Sequence, residues 1–159
     1  MIHSHMSILI AETGSETFRG DAEFHEHKTT FRSSEVGVFD MNAARTIIDA
    51  LNLSPHPEGG WYRETWRAEG AEGARSAGTA IHFLLEEGQR SHWHRVDAAE
   101  LWLWHAGSPL DVLVEQEDGA IATIRLGGDV ARGYAPQCLV PANRWQSTEA
   151  RSGWALVSC

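Results

Sequence analysis

Gly88 to Gly107 reads GQRSHWHRVDAAELWLWHAG. His92 and His94 stand two positions apart, Glu100 follows, and Trp102 and Trp104 come after it at the same spacing. A strand sends alternate side chains to opposite faces. That rule predicts His92 and His94 on one face. It also predicts Glu100, Trp102 and Trp104 together on the next strand, with Leu101, Leu103 and His105 behind them. If the two strands pair, His92, His94 and Glu100 surround one small volume. Two imidazoles and a carboxylate suit a borderline divalent ion such as zinc, iron, nickel or manganese. The same groups form an acid–base set that needs no metal. Spacing alone leaves both readings open, beside a plainer one in which the histidines are solvated and the tryptophans fill a core.

The pattern on either side is strand after strand. Candidates run over 60–66, 78–85, 90–96, 100–105, 110–115, 121–126, 137–141, 143–148 and 153–159. Glycine-, proline- and aspartate-bearing turns such as Gly107–Pro109, Asp118–Gly119 and Gly127–Gly128 separate them. Many short strands at near-regular spacing predict an all-β sandwich or barrel. One helix precedes them: Ala43, Ala44, Ile47, Ile48 and Leu51 recur at helical spacing, which predicts a helix over 42–51 with one buried face. Asp40 or Asn42 is placed to cap its start, and Pro55 and Pro57 are expected to stop it.

The chain has 159 residues, 42% of them apolar and 22% charged, which suits one folded domain. Thirteen basic against twenty-two acidic residues give a net charge of −9, which opposes nucleic acid and anionic membranes as partners. No run is long and apolar enough to span a bilayer, and the start lacks a secretory pattern. A cytoplasmic location is expected. Cys138 and Cys159 fit neither a disulfide scaffold nor a thiolate cluster and read as incidental thiols. Residues 1–41 read as an N-terminal arm. Its MIHSHM start looks tag-like, "SILI" offers a short edge strand, and His25 and His27 are expected to be exposed.

Further pocket candidates come from the other strands. Tyr62 and Glu64 share one face of the first strand, and Trp61, Arg63 and Thr65 share the other. Arg63 offers its fork of donors to an anionic group, or to one of the many carboxylates. Glu58, in the tight HPEGG turn, serves the turn or enters the pocket mouth. His82, between Ile81 and Phe83, is a core histidine or a pocket base. His56 and His105 read as turn or second-face residues.

GQRSHWHRVDAAELWLWHAG resembles the first motif of the cupin superfamily, with Gly88, His92, His94, Glu100 and Gly107 in the motif positions. The gap from Gly88 to His92 is shorter than in the family pattern, and that from His94 to Glu100 is longer. GYAPQCLVPANRWQS resembles the second motif through Gly133 and Pro141. Asn143 stands there in place of glycine, and Gln146 in place of the third metal histidine. LNLSPHPEGGWYRETWR, RSAGTAIHFLL, VPANRWQ and GWALVSC complete a resemblance, over about 42–159, to a small cupin subfamily marked by the Pro-His-Pro-Glu-Gly-Gly-x-Tyr-Arg-Glu-Thr run.

The resemblance implies a double-stranded β-helix, or cupin jelly roll, preceded by the short helix. It also implies a homodimer and a further family strand beyond the Cys159 position. It points to a small-molecule enzyme, epimerase- or isomerase-like on a sugar or small carbonyl compound. In that reading His92, His94, His82 and Tyr62 move protons, and Arg63, Glu58, Trp102, Trp104 and Gln146 hold the substrate. A metal-dependent oxygenase or isomerase would place a zinc, iron, nickel or manganese ion on His92, His94, Glu100 and Gln146. A non-catalytic small-molecule binding protein and a purely structural dimer are the other expectations.

Overall fold

A computed structural model describes residues 41–70 and 75–159. The expectations for "SILI", His25 and His27 lie outside the described residues. The elements are α1 (Met41–Ala50), β1 (Ser54–Pro55), β2 (Trp61–Arg67), β3 (Thr79–Leu85), β4 (Arg90–His94), β5 (Glu100–Gly107), β6 (Leu110–Glu115), β7 (Ile121–Leu126), a 3-10 turn at Val130–Arg132, β8 (Gln137–Val140), β9 (Gln146–Glu149) and β10 (Ala155–Ser158). Two sheets form, ordered β1-β2-β3-β10-β5-β8 and β4-β9-β6-β7. All strand pairs within them are antiparallel. The strand spacing predicts such a two-sheet sandwich or barrel, and the resemblance narrows it to the jelly roll that forms.

The inner faces of both sheets supply the main core. Phe83 and Leu85 of β3, Trp102 of β5, Val112 and Val114 of β6 and Val157 of β10 are all buried there. β3 is buried on both faces, because Leu84 turns outward under α1 and packs with Ala44, Ile48, Trp61 and Leu156. Helical spacing brings Ala44 and Ile48 to one side of α1, and that side covers the six-stranded sheet.

Three features differ from the sequence expectation. The helix is stopped by Asn52 rather than by Pro55 and Pro57: Asn52 takes the left-handed conformation at φ 52°, and the Leu53 N–H bonds to the Ile48 carbonyl at 2.9 Å. Pro55 then sits in an edge strand, where its missing N–H costs no ladder bond. The strand expected over 143–148 forms only from Gln146, because Asn143 (φ 63°) closes a turn before it. Finally, β4 and β5 do not pair; they belong to different sheets and face each other across the barrel.

Candidate functional site

The HPEGG turn is folded on itself and onto β4. Gly59 N–H donates to the His56 carbonyl at 3.0 Å, and His56 N–H to the Gly60 carbonyl at 2.9 Å. His92 N–H donates to the Glu58 carbonyl at 2.8 Å. Both glycines have positive φ, and a Cβ on Gly59 would lie 2.2 Å from the Arg90 carbonyl oxygen. Only glycine lets the turn lie this close to β4. The result brings the Glu58 carboxylate 3.4 Å from His94 Nε2 and 4.0 Å from His56 Nδ1.

β4 carries a β-bulge. Ser91 pairs with Thr148 and His94 with Gln146, so three steps on β4 match two on β9. Thr148 and Gln146 are both buried on the inner side, and so Ser91 and His94 face inward together. His92 and Trp93 share the extra step opposite Ser147 and are exposed. The strict alternation that would put His92 beside His94 is therefore interrupted by one residue. His94 enters the barrel, whereas His92 lies by the turn, its ring within contact distance of the Gly59 position.

Across the barrel, Glu100 and Trp102 descend from β5 on one face, as alternation predicts. Gln146, fully buried at 0% exposure, joins them. Trp102 Nε1 donates to Gln146 Oε1 at 3.0 Å, and Gln146 Nε2 donates through a short bond to Glu100 Oε2. An indole N–H is only a donor, so the amide orientation is forced. The Glu100 pKa is raised. Burial of its carboxyl is the largest cause, the Gln146 hydrogen bond and the His94 charge oppose it, and the Glu58 charge reinforces it. His56, packed edge-on against Tyr62 at 4.6 Å and Phe83 at 5.5 Å, has a lowered pKa: burial outweighs the attraction of Glu58.

Of the residues proposed from sequence, His94, Glu58, Glu100, Trp102 and Gln146 thus come together, and Tyr62 borders them through His56. Trp104 faces the same core but sits four residues along β5, roughly 13 Å at strand rise, and its indole donates to the Ser108 carbonyl. Arg63 and His82 are opposite one another on β2 and β3, on the outer face that carries Leu84 and α1. There His82 Nδ1 and His105 Nε2 both meet Ser158 Oγ, at 3.3 and 2.6 Å. His56 was the residue read as structural that joins the site. Its place two residues before Glu58 in a double-glycine turn was the available signal. Burial, reinforced by the nearby Glu100 charge, pushes the Cys138 thiol up to about 12 and raises Cys159 too. Both are free cysteines buried in the core, where raised values favour the thiol over the reactive thiolate.

The donor chemistry does not fit an ion held by His92, His94, Glu100 and Gln146. His92 is on the bulge, and the Gln146 oxygen is already turned to Trp102. His94 keeps one free nitrogen, Nε2, because Nδ1 donates to the His92 carbonyl at 2.7 Å, so a single imidazole is all that the set still offers inside the barrel. Among the described residues, no three His, Cys, Asp or Glu side chains gather as metal ligands do. No helix there is long and apolar enough to cross a membrane.

The two-sheet jelly roll, with His94 of β4 and Glu100 of β5 directed into it, is a cupin-type barrel. The chain belongs to the family described as Cupin superfamily (DUF985), whose model matches residues 45–159. It is similar to protein SO0799 from Shewanella oneidensis, at 39% identity over 73% of this chain and 75% of that one, with a TM-score of 0.68. It is also similar to a hypothetical protein from Leishmania major, at 33% identity over 73% and 78% of the two chains, with a TM-score of 0.66. A more remote likeness is to a Bacillus subtilis oxalate decarboxylase, at 16% identity over 65% of this chain and 25% of that one, with a TM-score of 0.48. No curated protein matches.

Two predictions test the network. Gln146→Leu leaves the Trp102 N–H and the Glu100 carboxyl without their partner, and is expected to cost about 2–4 kcal/mol in urea denaturation. A loss below about 0.5 kcal/mol, within the range of ordinary surface substitutions, would mean the network does not form. Glu100 holds its proton more tightly folded than unfolded. Its contribution is therefore complete below the ordinary glutamate range and is lost as pH rises through the raised folded value. Urea midpoints of the native chain should fall across that window, and Glu100→Gln should flatten the fall. Curves for the two proteins that stay parallel over the whole pH range in which the chain is folded would contradict a proton held on Glu100.

Proposed function

We infer that this cupin is a small-molecule isomerase that shifts a proton next to a carbonyl group. The reading rests on one observation: His94, held from behind by the His92 carbonyl on Nδ1, brings Nε2 to 3.4 Å from the Glu58 carboxylate in the same barrel as a desolvated Glu100 whose pKa is raised. A catalytic acid must keep its proton where it works, and the burial that raises the Glu100 pKa serves that role. With Nδ1–H fixed on the His92 carbonyl, Nε2 is the atom of His94 that takes a proton.

A hydroxy-aldehyde or hydroxy-ketone would bind with its carbonyl oxygen at Glu100 and its adjacent C–H toward His94. His94 Nε2 removes the carbon-bound proton while Glu100 gives its own to the carbonyl oxygen, forming an enediol. Glu100 then recovers a proton from the neighbouring hydroxyl, and His94 returns its proton to the other carbon. The carbonyl has moved by one position and both residues are restored. A single base on one side suits this shift, because no second base is needed on the opposite face. Trp102, Phe83 and Tyr62 supply the apolar wall that keeps water from the enediol.

The test is incubation in D2O with small hydroxy-aldehydes, ketoses and aldoses, followed by proton NMR. Loss of the signal of the carbon-bound hydrogen beside the carbonyl, in native protein and not in His94→Ala, is the expected result. Saturable binding with no exchange for any compound would replace the isomerase by a small-molecule binding protein.

A further inference from the structure

Arg63, His82, Ser158 and His105 stand side by side on the outer face of the six-stranded sheet, one on each of the adjacent strands β2, β3, β10 and β5. Arg63 is the register partner of His82, and His82 of Ser158. His105 is the extra residue where β5 slips by one against β10, and its ring reaches the same serine hydroxyl. Neighbouring strands lie about 4.8 Å apart, so the four side chains form one continuous row. The opposite face of the sheet lines the barrel, and none of the four serves it.

The row gathers positive charge in a chain whose net charge is −9. Arg63 is exposed, and among the described arginines it alone has no carboxylate, carbonyl or aromatic ring as a partner. The others pair with carboxylates, or lie over an indole as Arg45 does at Trp61 and Arg95 at Trp145. The His82 pKa is lowered, first by burial and then by the charges of His105 and Arg63. Both of those neighbours are positive, and no carboxylate acts on the ring. Ser158 Oγ lies 3.3 Å from His82 Nδ1 and 2.6 Å from His105 Nε2. A hydroxyl has one hydrogen, so while it donates to one ring the other must donate to it. When both rings carry N–H toward Oγ, the hydroxyl hydrogen is released to an acceptor in front of the sheet, beside the Arg63 fork. Two imidazolium rings next to a guanidinium repel one another, and an anion in front of them offsets that repulsion. Guanidinium, imidazolium and hydroxyl donors are those that a phosphate group takes up. Its terminal oxygens can meet the fork and the hydroxyl together, whereas a carboxylate has only two oxygens for the row.

We propose that the Arg63–His82–Ser158–His105 row is a binding site for the phosphate group of a small molecule, separate from the barrel interior. Inorganic phosphate is the probe, and acetate at equal ionic strength is its control. The full chain is titrated at about pH 6.5, the ordinary histidine value, and the imidazole ring protons are followed by NMR. Phosphate should move the His82 and His105 signals saturably and leave those of His94 in place. Acetate should bind about tenfold more weakly. Arg63→Ala should weaken phosphate about tenfold, and Arg63→Lys should recover only part of the loss, because an ammonium lacks the fork. Ser158→Ala should weaken phosphate severalfold. Arg95→Ala, which removes an arginine beside the other sheet, should bind as the native chain does. Equal affinity for phosphate and acetate would make the row a plain positive patch and overturn the proposal. So would the absence of a saturable shift, or binding that survives Arg63→Ala. Movement of the His94 signals in place of those of His82 and His105 would put the anion inside the barrel, and would equally overturn it. Thermal melts of each variant separate lost binding from lost fold, and Arg63→Lys keeps the test open should Ser158→Ala be unstable.

Discussion

His94→Ala and Glu100→Gln are each expected to slow solvent-hydrogen exchange at the substrate carbon by about 10²- to 10⁴-fold, the usual worth of a positioned acid or base. At about 1.36 kcal/mol per decade, that is roughly 3–5 kcal/mol of transition-state stabilisation for each residue. The two variants should fail differently. His94→Ala removes the atom that accepts the proton, and a small added base such as imidazole should restore part of the rate. Glu100→Gln keeps an oxygen to accept the Gln146 N–H, so substrate affinity should change little while turnover collapses. A drop in kcat with KM unchanged is the mark of an interaction made only in the transition state. The double variant should be scarcely slower than the worse single one, because acid and base act in one step. If His94→Ala exchanges at the native rate, the histidine is a wall residue and the isomerase reading falls.

The largest loss of stability is expected from Gly59→Ala. Its φ of 101° is one that side-chain-bearing residues rarely adopt, and the added methyl would meet the Arg90 carbonyl oxygen at 2.2 Å. Backbone strain of this kind costs about 1–3 kcal/mol. The clash adds to it, since neither the carbonyl nor the turn is a flexible side-chain end. A loss of about 3 kcal/mol or more in chemical denaturation is therefore expected, enough to remove a large fraction of a domain's stability. Gly119→Ala is the control: φ is again positive, at 81°, but nothing lies within 4 Å. It should cost about 1–2 kcal/mol, the left-handed penalty alone. Gly59→Ala should also disturb chemistry that Gly119→Ala leaves intact, because the same turn carries Glu58 to His94. Equal losses for the two variants would show that close approach of the turn to β4 does not matter.

Most of the fold was readable because it is written in local chemistry. Helical spacing through Ala44 and Ile48 found α1, and the strands between β2 and β10 stand close to where alternation and turn residues put them. The parity of Glu100 and Trp102 on β5 also held, since no bulge separates them: both face partners on β8, at Val140 and Cys138, in unbroken register. The 3-10 turn at Val130–Arg132 and the two-residue β1 were missed, being too short to carry any period.

The chain by itself determined an all-β sandwich or barrel, narrowed to a jelly roll by the motif resemblance, and it set Glu100 and Trp102 on one face of their strand. Side-chain alternation is a property of each strand alone, and it needs no partner to be true. Tertiary structure decided which histidine enters. A bulge exists only relative to the strand beside it, so the single extra step of β4 against β9, which admits His94 and turns out His92 and Trp93, has no signature in β4 alone. For the same reason the gathering of His56 and Glu58 at His94 and the outward placement of His82 and Arg63 depend on which face the helix covers and how closely a glycine turn can approach its neighbour.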